Sequence, residues 1–207
     1  MIIKIFTGPL NYNIKNLYKE ESAEFIIGVD QGCQLLLEAG IDIDLAIGDF
    51  DSVSKNIFDK IVEQSKKTIV LNSVKDYTDT FLAVKEALKI EHTEIQIYGG
   101  IGKRFDHTFA NVNLLKLGNI KIINNDSIMY MLDPGTYEIM NKHKYISFFS
   151  IEDVVGLTLE GFKYPLKEVY LDTDNPLCIS NEGEGNLSFT DGLLLVILQN
   201  EHEKRPQ

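Results

Sequence analysis

Two aspartates, Asp49 and Asp51, stand one residue apart in the segment GDFDS (residues 48–52), directly after the apolar run LAI. Carboxylates this close disfavour each other's ionised form unless a positive charge lies between them. Aspartate and glycine are also ordinary residues of solvated turns, so the segment alone fits either a turn or a metal site. The other polar residues that share this edge of the fold must decide between the two.

Further acidic residues follow other apolar runs that are typical of strands. Asp30 follows FIIGV, and Asp76 and Asp79 follow TIVLN at the start of a helical pattern. Taken singly, Asp30 fits a turn. Asp76 or Thr78 fits a helix N-cap, and Asp79 fits the first turn of that helix. Taken together, carboxylates at several strand ends are the oxygen ligands that Mg²⁺ prefers.

A glycine-rich turn follows the next apolar run, in the sequence EIQIYGGIGKRFDH (residues 94–107). It matches neither the GxxxxGK[ST] phosphate loop nor the dinucleotide GxGxxG motif. A glycine-rich turn that opens a helix nevertheless lets backbone N–H groups approach an anion, and Arg104 can bind phosphate with two hydrogen bonds. Taken alone, His107 fits a hydrogen-bonded structural histidine better than a catalyst, and Asn111, one turn later, fits a cap or a solvent-facing residue. The residues predict metal ligands at Asp49, Asp51 and Asp79 and a phosphate site at the turn, a combination suited to phosphoryl-type transfer.

The secondary-structure pattern of the elements that position these residues changes along the chain. Strand and helix patterns alternate up to about residue 125, which predicts a mainly parallel sheet covered by helices. Ligands bind such sheets at the carboxyl ends of the strands, where the acidic residues stand. After residue 126 only short strand patterns follow, among them TYEIM, KYISFFS, VVGLTLEGF, KEVYL, PLCIS, NLSFT and LLLVIL. We therefore predict an α/β domain (1–125) followed by an all-β sandwich domain (126–207).

The composition of the chain bears on its partners and on the compartment in which it works. The chain has 207 residues and a formal net charge of −11, which disfavours nucleic acid and anionic membranes as partners. No apolar run reaches the roughly 20 residues of a membrane-spanning helix. The opening MIIKIF fits a first strand better than a signal peptide. Cys33 and Cys178 stand far apart in apolar patterns, which favours reduced core thiols and a cytoplasmic protein.

Four segments, in this order and spacing, resemble those of the thiamine pyrophosphokinase family. They are GDFDS (48–52), KDYTD with Ala83 following (75–83), GGIGKRFDHTFAN (99–111) and SNEGEG (180–185). The resemblance implies an α/β domain that binds ATP and metal and a β-sandwich that binds thiamine. It also implies a homodimer with sites shared between subunits. The implied reaction transfers the pyrophosphoryl group of ATP to the thiamine hydroxyl, with Mg²⁺ required, and yields thiamine diphosphate and AMP.

The resemblance also implies a role for each matching residue. Asp49, Asp51 and Asp79 are implied as metal or catalytic carboxylates, with Asp76 close by. The implied nucleotide side of the site consists of Asp30, Gly100, Arg104, Asp106, His107 and Asn111. Ser180 and Asn181 are implied to meet thiamine from the partner's sandwich domain. The segment GVDQG (28–32) departs from the family's alanine–aspartate–glycine–glycine run at Gln31, which leaves the role of that turn open.

Two other functions remain open at this stage. A phosphatase of the haloacid dehalogenase type also has an apolar strand followed by D-x-D, but it needs a downstream lysine and a further acidic motif that GGIGKRFDH does not resemble. A non-catalytic module that binds a nucleotide or thiamine is the other alternative. The intact GDFDS segment favours the enzyme.

Overall fold

The computed structural model describes residues 1–72 and 76–201. The chain divides into two compact units, Met1–Asn125 and Asp126–Gln207. The first combines strands with helices, and the described residues of the second form strands without helices. None of the helices in the described part of the chain has the length and apolar content needed to cross a lipid bilayer.

The first unit contains a six-stranded sheet in which every pairing is parallel. Its strands are β1 (Ile2–Phe6), β2 (Glu24–Val29), β3 (Ile43–Gly48), β4 (Ser65–Val70), β5 (Glu94–Tyr98) and β6 (Ile120–Ile123). They lie in the order β4-β3-β2-β1-β5-β6. The side chains of the central strands are buried in almost unbroken runs, as expected for a parallel sheet covered on both faces.

Helices connect these strands, and their ends follow local sequence signals. They are α1 (Ile14–Leu17), α2 (Gln31–Ala39), α3 (Lys55–Gln64), α4 (Asp79–Ala87) and α5 (Phe105–Leu114), the last followed by a 3-10 turn, Leu115–Leu117. Ser54 and Thr78 cap α3 and α4 by accepting backbone N–H bonds, and Gly40 ends α2 in the left-handed conformation. The four-residue α1 was not predicted, because one helical turn is too short to show a period.

The strand order defines where a ligand can bind. The chain runs outward from β1 through β2, β3 and β4 and then returns to the other side of β1 with β5. The point of reversal lies between β1 and β5, and ligands of open parallel sheets bind in the crevice at the carboxyl ends of such strands. Thr7 follows β1 there, and its N–H donates to the carbonyl of Tyr98 at 3.0 Å.

The second unit is antiparallel throughout its described strands. They are β7 (Ser127–Leu132), β8 (Gly135–Ile139), β9 (Tyr145–Glu160), β10 (Leu166–Leu171), β11 (Gly185–Phe189) and β12 (Asp191–Gln199). Most of β12 pairs with the first half of β9, and β10 and β11 pair with the second half. Ile146, Phe148, Leu187 and Val196 are among the fully buried side chains of its core.

The strands of this unit differ from the prediction in three places. KYISFFS and VVGLTLEGF belong to one strand, β9, because an irregular register against β12 breaks the alternation around the exposed Glu152 and Asp153. PLCIS is a turn, in which the carbonyl of Cys178 accepts a bond from Phe148 N–H at 3.0 Å. The strand β7 was not predicted. Both cysteines are buried and unpaired, as predicted.

Candidate active site

Three carboxylates meet at the carboxyl edge of the parallel sheet. Asp30 follows β2, Asp49 follows β3 and Asp79 is the first residue of α4. One carboxylate oxygen from each lies within 4.8 Å of the others, and all three side chains are partly buried. Three like charges this close favour a cation between them, and oxygen-only ligands fit a hard divalent ion such as Mg²⁺.

The backbone conformation around Asp30 places its side chain against the end of β3. Asp30 has a positive φ of 48°, and its N–H donates to the carbonyl of Ile47 at 3.1 Å. Its Oδ1 accepts the N–H of Phe50 at 3.2 Å, and Phe50 also has a positive φ, 56°. Gly48 is required here, because a Cβ on it would lie 1.9 Å from Asp30 Oδ1.

Burial and neighbouring charge raise the pKa of Asp30. Burial is the largest effect on Asp30 and the charge of Asp79 the next. Together with Asp49 they raise the pKa of Asp30 to about 7. The charged form of Asp30 is therefore disfavoured in the folded protein, and a bound cation would stabilise that charged form.

Two predicted acidic residues lie outside this cluster. Asp51 is exposed, and its N–H donates to Asp49 Oδ1 at 3.2 Å. Asp76 is also exposed, two residues before the helix cap Thr78. Lys75, the first residue of the KDYTD motif, lies outside the described residues. The structure thus places Asp30, rather than Asp51, with Asp49 and Asp79.

The glycine turn packs tightly against the segment that follows β1. Gly99 and Gly100 have φ values of 88° and 74°, and a Cβ on Gly99 would lie 2.3 Å from the carbonyl oxygen of Thr7. The buried Asn111 donates from Nδ2 to the carbonyl of Gly100 at 2.8 Å. Asn111, predicted on the nucleotide side of the site, therefore fixes the shape of this turn as well as lining the cleft beside it.

The second half of the turn has its own supports. The N–H of Gly102 donates to Thr108 Oγ1 at 3.1 Å, and a Cβ on Gly102 would lie 2.3 Å from Pro9 Cγ. Asn11 donates from Nδ2 to the carbonyl of Ile101 at 3.1 Å. Tertiary contacts hold the turn in one shape before any ligand arrives.

Positive charge stands beside the turn at the start of α5. Arg104 precedes the helix and pairs with Asp106, with Nη2 and Oδ2 2.6 Å apart, and both side chains are exposed. The hydrogen bond to Arg104 holds the pKa of Asp106 below its usual range. His107 is exposed and faces the same cleft as Arg104 and Lys103.

A cleft of about 670 Å³ joins the acidic cluster to the turn. Asp30, Ser52, Thr78, Asp79 and Thr80 line it on one side, and Gly100, Gly102, Lys103, Arg104, His107, Thr108 and Asn111 line it on the other. The contribution of the segment after β1 was not predicted from the sequence. Thr7, Gly8, Pro9 and Asn11 also line the cleft, and the TGP segment directly after the first strand was the signal that could have identified them.

The predicted thiamine residues lie in a turn of the second unit. Ser180 is exposed with a φ of 59°, and its N–H donates to Ser147 Oγ at 2.9 Å. Asn181 is 2% exposed, and its side chain exchanges two hydrogen bonds with the backbone of Tyr164, at 2.9 and 2.8 Å. Its Oδ1 also accepts the N–H of Glu182 at 2.9 Å. The Asn181 amide therefore shapes the turn that displays Ser180.

Two family descriptions match the chain. "Thiamin pyrophosphokinase, catalytic domain" matches residues 17–124, and "Thiamin pyrophosphokinase, vitamin B1 binding domain" matches residues 135–194. The thiamine pyrophosphokinase of Bacillus subtilis (strain 168) is 41% identical over 182 residues, which are 83% of this chain and 85% of that protein. This chain belongs to the thiamine pyrophosphokinase family.

Solved structures of the family share the fold. The thiamine pyrophosphokinase structure from Bacillus subtilis superposes with a TM-score of 0.89 at 35% identity, covering 98% of this chain and 100% of that one. The structure from Geobacillus thermodenitrificans gives a TM-score of 0.87 at 33% identity, covering 97% and 98%. The family and enzyme class predicted from the sequence are confirmed. The predicted combination of strands and helices is confirmed in outline.

The raised pKa of Asp30 predicts how stability varies with pH when divalent cations are removed by a chelator. Between about pH 4 and pH 7 the folded protein binds a proton at Asp30 that the unfolded chain releases, so this group's contribution to the free energy of unfolding falls as pH rises. Asp30→Asn should remove that contribution. We expect the variant to be more stable than wild type at pH 8 by about 1–2 kcal/mol, or roughly 2–8 °C, after allowance for solvent screening.

Thermal unfolding at several pH values, read as the difference between variant and wild type, checks this prediction. Asp59→Asn, which changes an exposed carboxyl on α3, is the matched control and should follow the wild-type profile. Parallel profiles for Asp30→Asn and wild type would show that the Asp30 carboxyl is not strained by its neighbours.

Proposed function

We propose that this chain transfers the pyrophosphoryl group of ATP to the hydroxyl of thiamine, forming thiamine diphosphate and AMP. The thiamine oxygen bonds to the β-phosphorus, and the bond from that phosphorus to the oxygen it shares with the α-phosphorus breaks. The hydroxyl proton passes to a carboxylate of the acidic cluster. The observation that carries the proposal is one cleft lined on one side by Asp30 and Asp79, two of the three converging carboxylates, and on the other side by the glycine turn and Arg104.

We also propose that Asp30, Asp49 and Asp79 hold Mg²⁺. When bound, the ion neutralises charge on the reacting phosphates. Asp51 keeps its predicted role as a further ligand, supported by its exposed carboxylate two residues from Asp49, and Asp76 keeps a role nearby. The turn at Gly100, with Arg104 and His107, binds the phosphate chain, and Asn111 supports that turn. Asp106 orients Arg104.

The second unit, on this proposal, is a β-sandwich that binds thiamine and forms the dimer. Its sandwich character is supported by β9, whose halves pair with different strands around one apolar core. A homodimer is supported by large exposed apolar side chains next to predicted site residues. Leu177 and Ile179 are about half exposed beside Ser180, and Phe105 is 81% exposed beside Arg104. The two unpaired cysteines support a cytoplasmic location.

The nucleotide product tests the reaction. Incubation with thiamine, ATP and Mg²⁺ should give AMP and thiamine diphosphate in equal amounts, because attack at the β-phosphorus leaves AMP. Separation of the nucleotides by chromatography provides the measurement, with Asp79→Asn as the inactive control. ADP as the main product would indicate simple phosphoryl transfer, and inorganic phosphate formed without thiamine would indicate a phosphatase. Either would overturn the proposal.

Variants of the carboxylates test the metal site. Asp49→Asn and Asp79→Asn should each reduce turnover by about 100-fold or more and abolish the rise in melting temperature that Mg²⁺ alone produces in wild type. Each removes one of three repelling charges, so each should also raise the melting temperature without metal. Asp51→Asn should lower turnover and reduce the Mg²⁺-dependent rise only in part, since Asp51 is proposed as a further ligand outside the cluster.

Asp59→Asn, on the exposed face of α3, should behave as wild type in these measurements. An undiminished Mg²⁺-dependent rise in both Asp49→Asn and Asp79→Asn would show that the ion binds elsewhere.

Mixed dimers test whether each site is shared between subunits. Asp49→Asn chains are dissociated and reassociated with Asn181→Ala chains, which lose the bonds that shape the Ser180 turn. In a mixed dimer, one site carries both lesions and the other carries neither. About half of randomly paired dimers are mixed, so activity should recover to roughly a quarter of wild type. The single variants must be nearly inactive and folded. If mixing restores no activity, each site lies within one chain.

A further inference from the structure

A pair of buried threonines lies in the cleft between the acidic cluster and the glycine turn. Thr7 follows β1 and Thr80 is the second residue of α4, and their hydroxyl oxygens are 2.9 Å apart. Thr7 is 4% exposed and Thr80 is 7% exposed, and both line the cleft. Thr7 lies outside the four segments that carry the family resemblance, and the resemblance implies no role for Thr80, which lies within residues 75–83.

The pair joins the two sides of the cleft. Thr80 directly follows Asp79 of the acidic cluster. Thr7 approaches the turn, since its Cγ2 would lie 3.6 Å from a Cβ on Gly100 and its carbonyl oxygen lies against Gly99. A group bound by both the acidic cluster and the turn must therefore pass over these two hydroxyls.

Counting protons shows that the pair has a donor to spare. Two hydroxyls carry two O–H protons, and one hydrogen bond between them uses one. Within the part of the chain that the structure describes, neither hydroxyl makes another hydrogen bond. The remaining O–H is thus oriented by its neighbour and has no protein acceptor among those residues. A buried donor without an acceptor is costly, and a ligand that supplies one recovers that cost.

A second hydroxyl pair in the same unit shows the contrast. Ser65 and Thr68 have hydroxyl oxygens 2.8 Å apart, and Ser65 Oγ also donates to the carbonyl of Ile61 at 2.6 Å. The Ser65 proton is committed to Ile61, so Thr68 must donate to Ser65, and both protons are used. That pair lies outside the cleft and serves the fold alone.

We propose that the Thr7–Thr80 hydroxyl pair donates a hydrogen bond to an oxygen of the β- or γ-phosphoryl group of the bound nucleotide. One threonine makes the contact and the other orients it. Phosphate oxygens are strong acceptors, and a hydrogen bond to a charged acceptor in a site with little water is stronger than one between neutral groups. The contact falls on the transferred group because the pair adjoins Asp79. This inference rests on the proposed function, which places a nucleotide in the cleft.

Binding of two nucleotides tests the proposal. The probes are the α,β-methylene analogue of ATP, which cannot undergo the transfer, and AMP, which lacks the β- and γ-phosphoryl groups. Dissociation constants are measured by calorimetry with Mg²⁺ present. The double variant Thr7→Val/Thr80→Val keeps the shape of both side chains and removes both hydroxyls. We expect it to bind the analogue about 10- to 100-fold more weakly and to bind AMP within about twofold of wild type.

Two controls separate the contact from a structural effect. Thr7→Ser/Thr80→Ser keeps both hydroxyls and should bind the analogue within about threefold of wild type. Thr68→Val breaks the matched pair outside the cleft and should leave both dissociation constants unchanged. If the double valine variant does not fold, as judged by its circular dichroism and melting temperature, Thr80→Val alone should show the same discrimination with a loss of about threefold to tenfold.

The outcomes distinguish the inference from the proposed function. Equal weakening of the analogue and AMP, or no weakening of either, overturns the hydroxyl contact while the wild-type affinity for the analogue still supports the function. Failure of the wild-type protein to bind the analogue in the presence of Mg²⁺ overturns both.

Discussion

Repulsion among Asp30, Asp49 and Asp79 is the constraint around which the first unit is arranged. One oxygen from each of the three carboxylates lies within 4.8 Å of the others, so the backbones that carry them must be held in place. The chain fixes each backbone differently. Asp30 and Phe50 adopt positive φ angles, at a cost on the order of 1–3 kcal/mol each, and the buried Phe50 ring packs against Phe58 to hold that loop in place. Asp79 is fixed by the capped start of α4.

The opposite side of the cleft is rigid for a different reason. The glycine turn is held by neutral contacts, with Asn11 and Asn111 binding its carbonyls and Thr7 and Pro9 filling the space that side chains would occupy. The cleft therefore has a side with the carboxylates Asp30 and Asp79 that suits a cation and a side with the basic residues Lys103 and Arg104 that suits an anion. A nucleotide bound with a divalent ion combines anionic phosphates with a cation. Such a ligand matches both sides of this one cleft.

Much of this arrangement could be predicted from the sequence. Alternating patterns identified the parallel sheet, and once the sheet was assigned, the residues at its strand ends had to share one edge. The position of Asp30 within the cluster could not be predicted, because it depends on β2 lying between β3 and β1, which periodicity does not reveal. The Thr7–Thr80 pair joins residues 73 positions apart and leaves no local pattern. The continuity of β9 was obscured because its irregular pairing with β12 shifts the alternation.

The Arg104–Asp106 ion pair has a consequence for the rate at which an anion is captured. Asp106 presents a carboxylate where a phosphate would bind, so it occupies the guanidinium as an internal competitor and keeps it extended and oriented. An arriving anion must exchange with that carboxylate. Weakly charged anions gain too little from the exchange, whereas a polyphosphate offers more charge and more acceptors than Asp106. On the proposed function, a polyphosphate therefore displaces Asp106 from Arg104 more readily than a singly charged anion does. Because both side chains are exposed, added salt weakens the Arg104–Asp106 ion pair as well as the attraction between Arg104 and an incoming anion. The two effects oppose each other, so anion binding at Arg104 depends less on salt concentration.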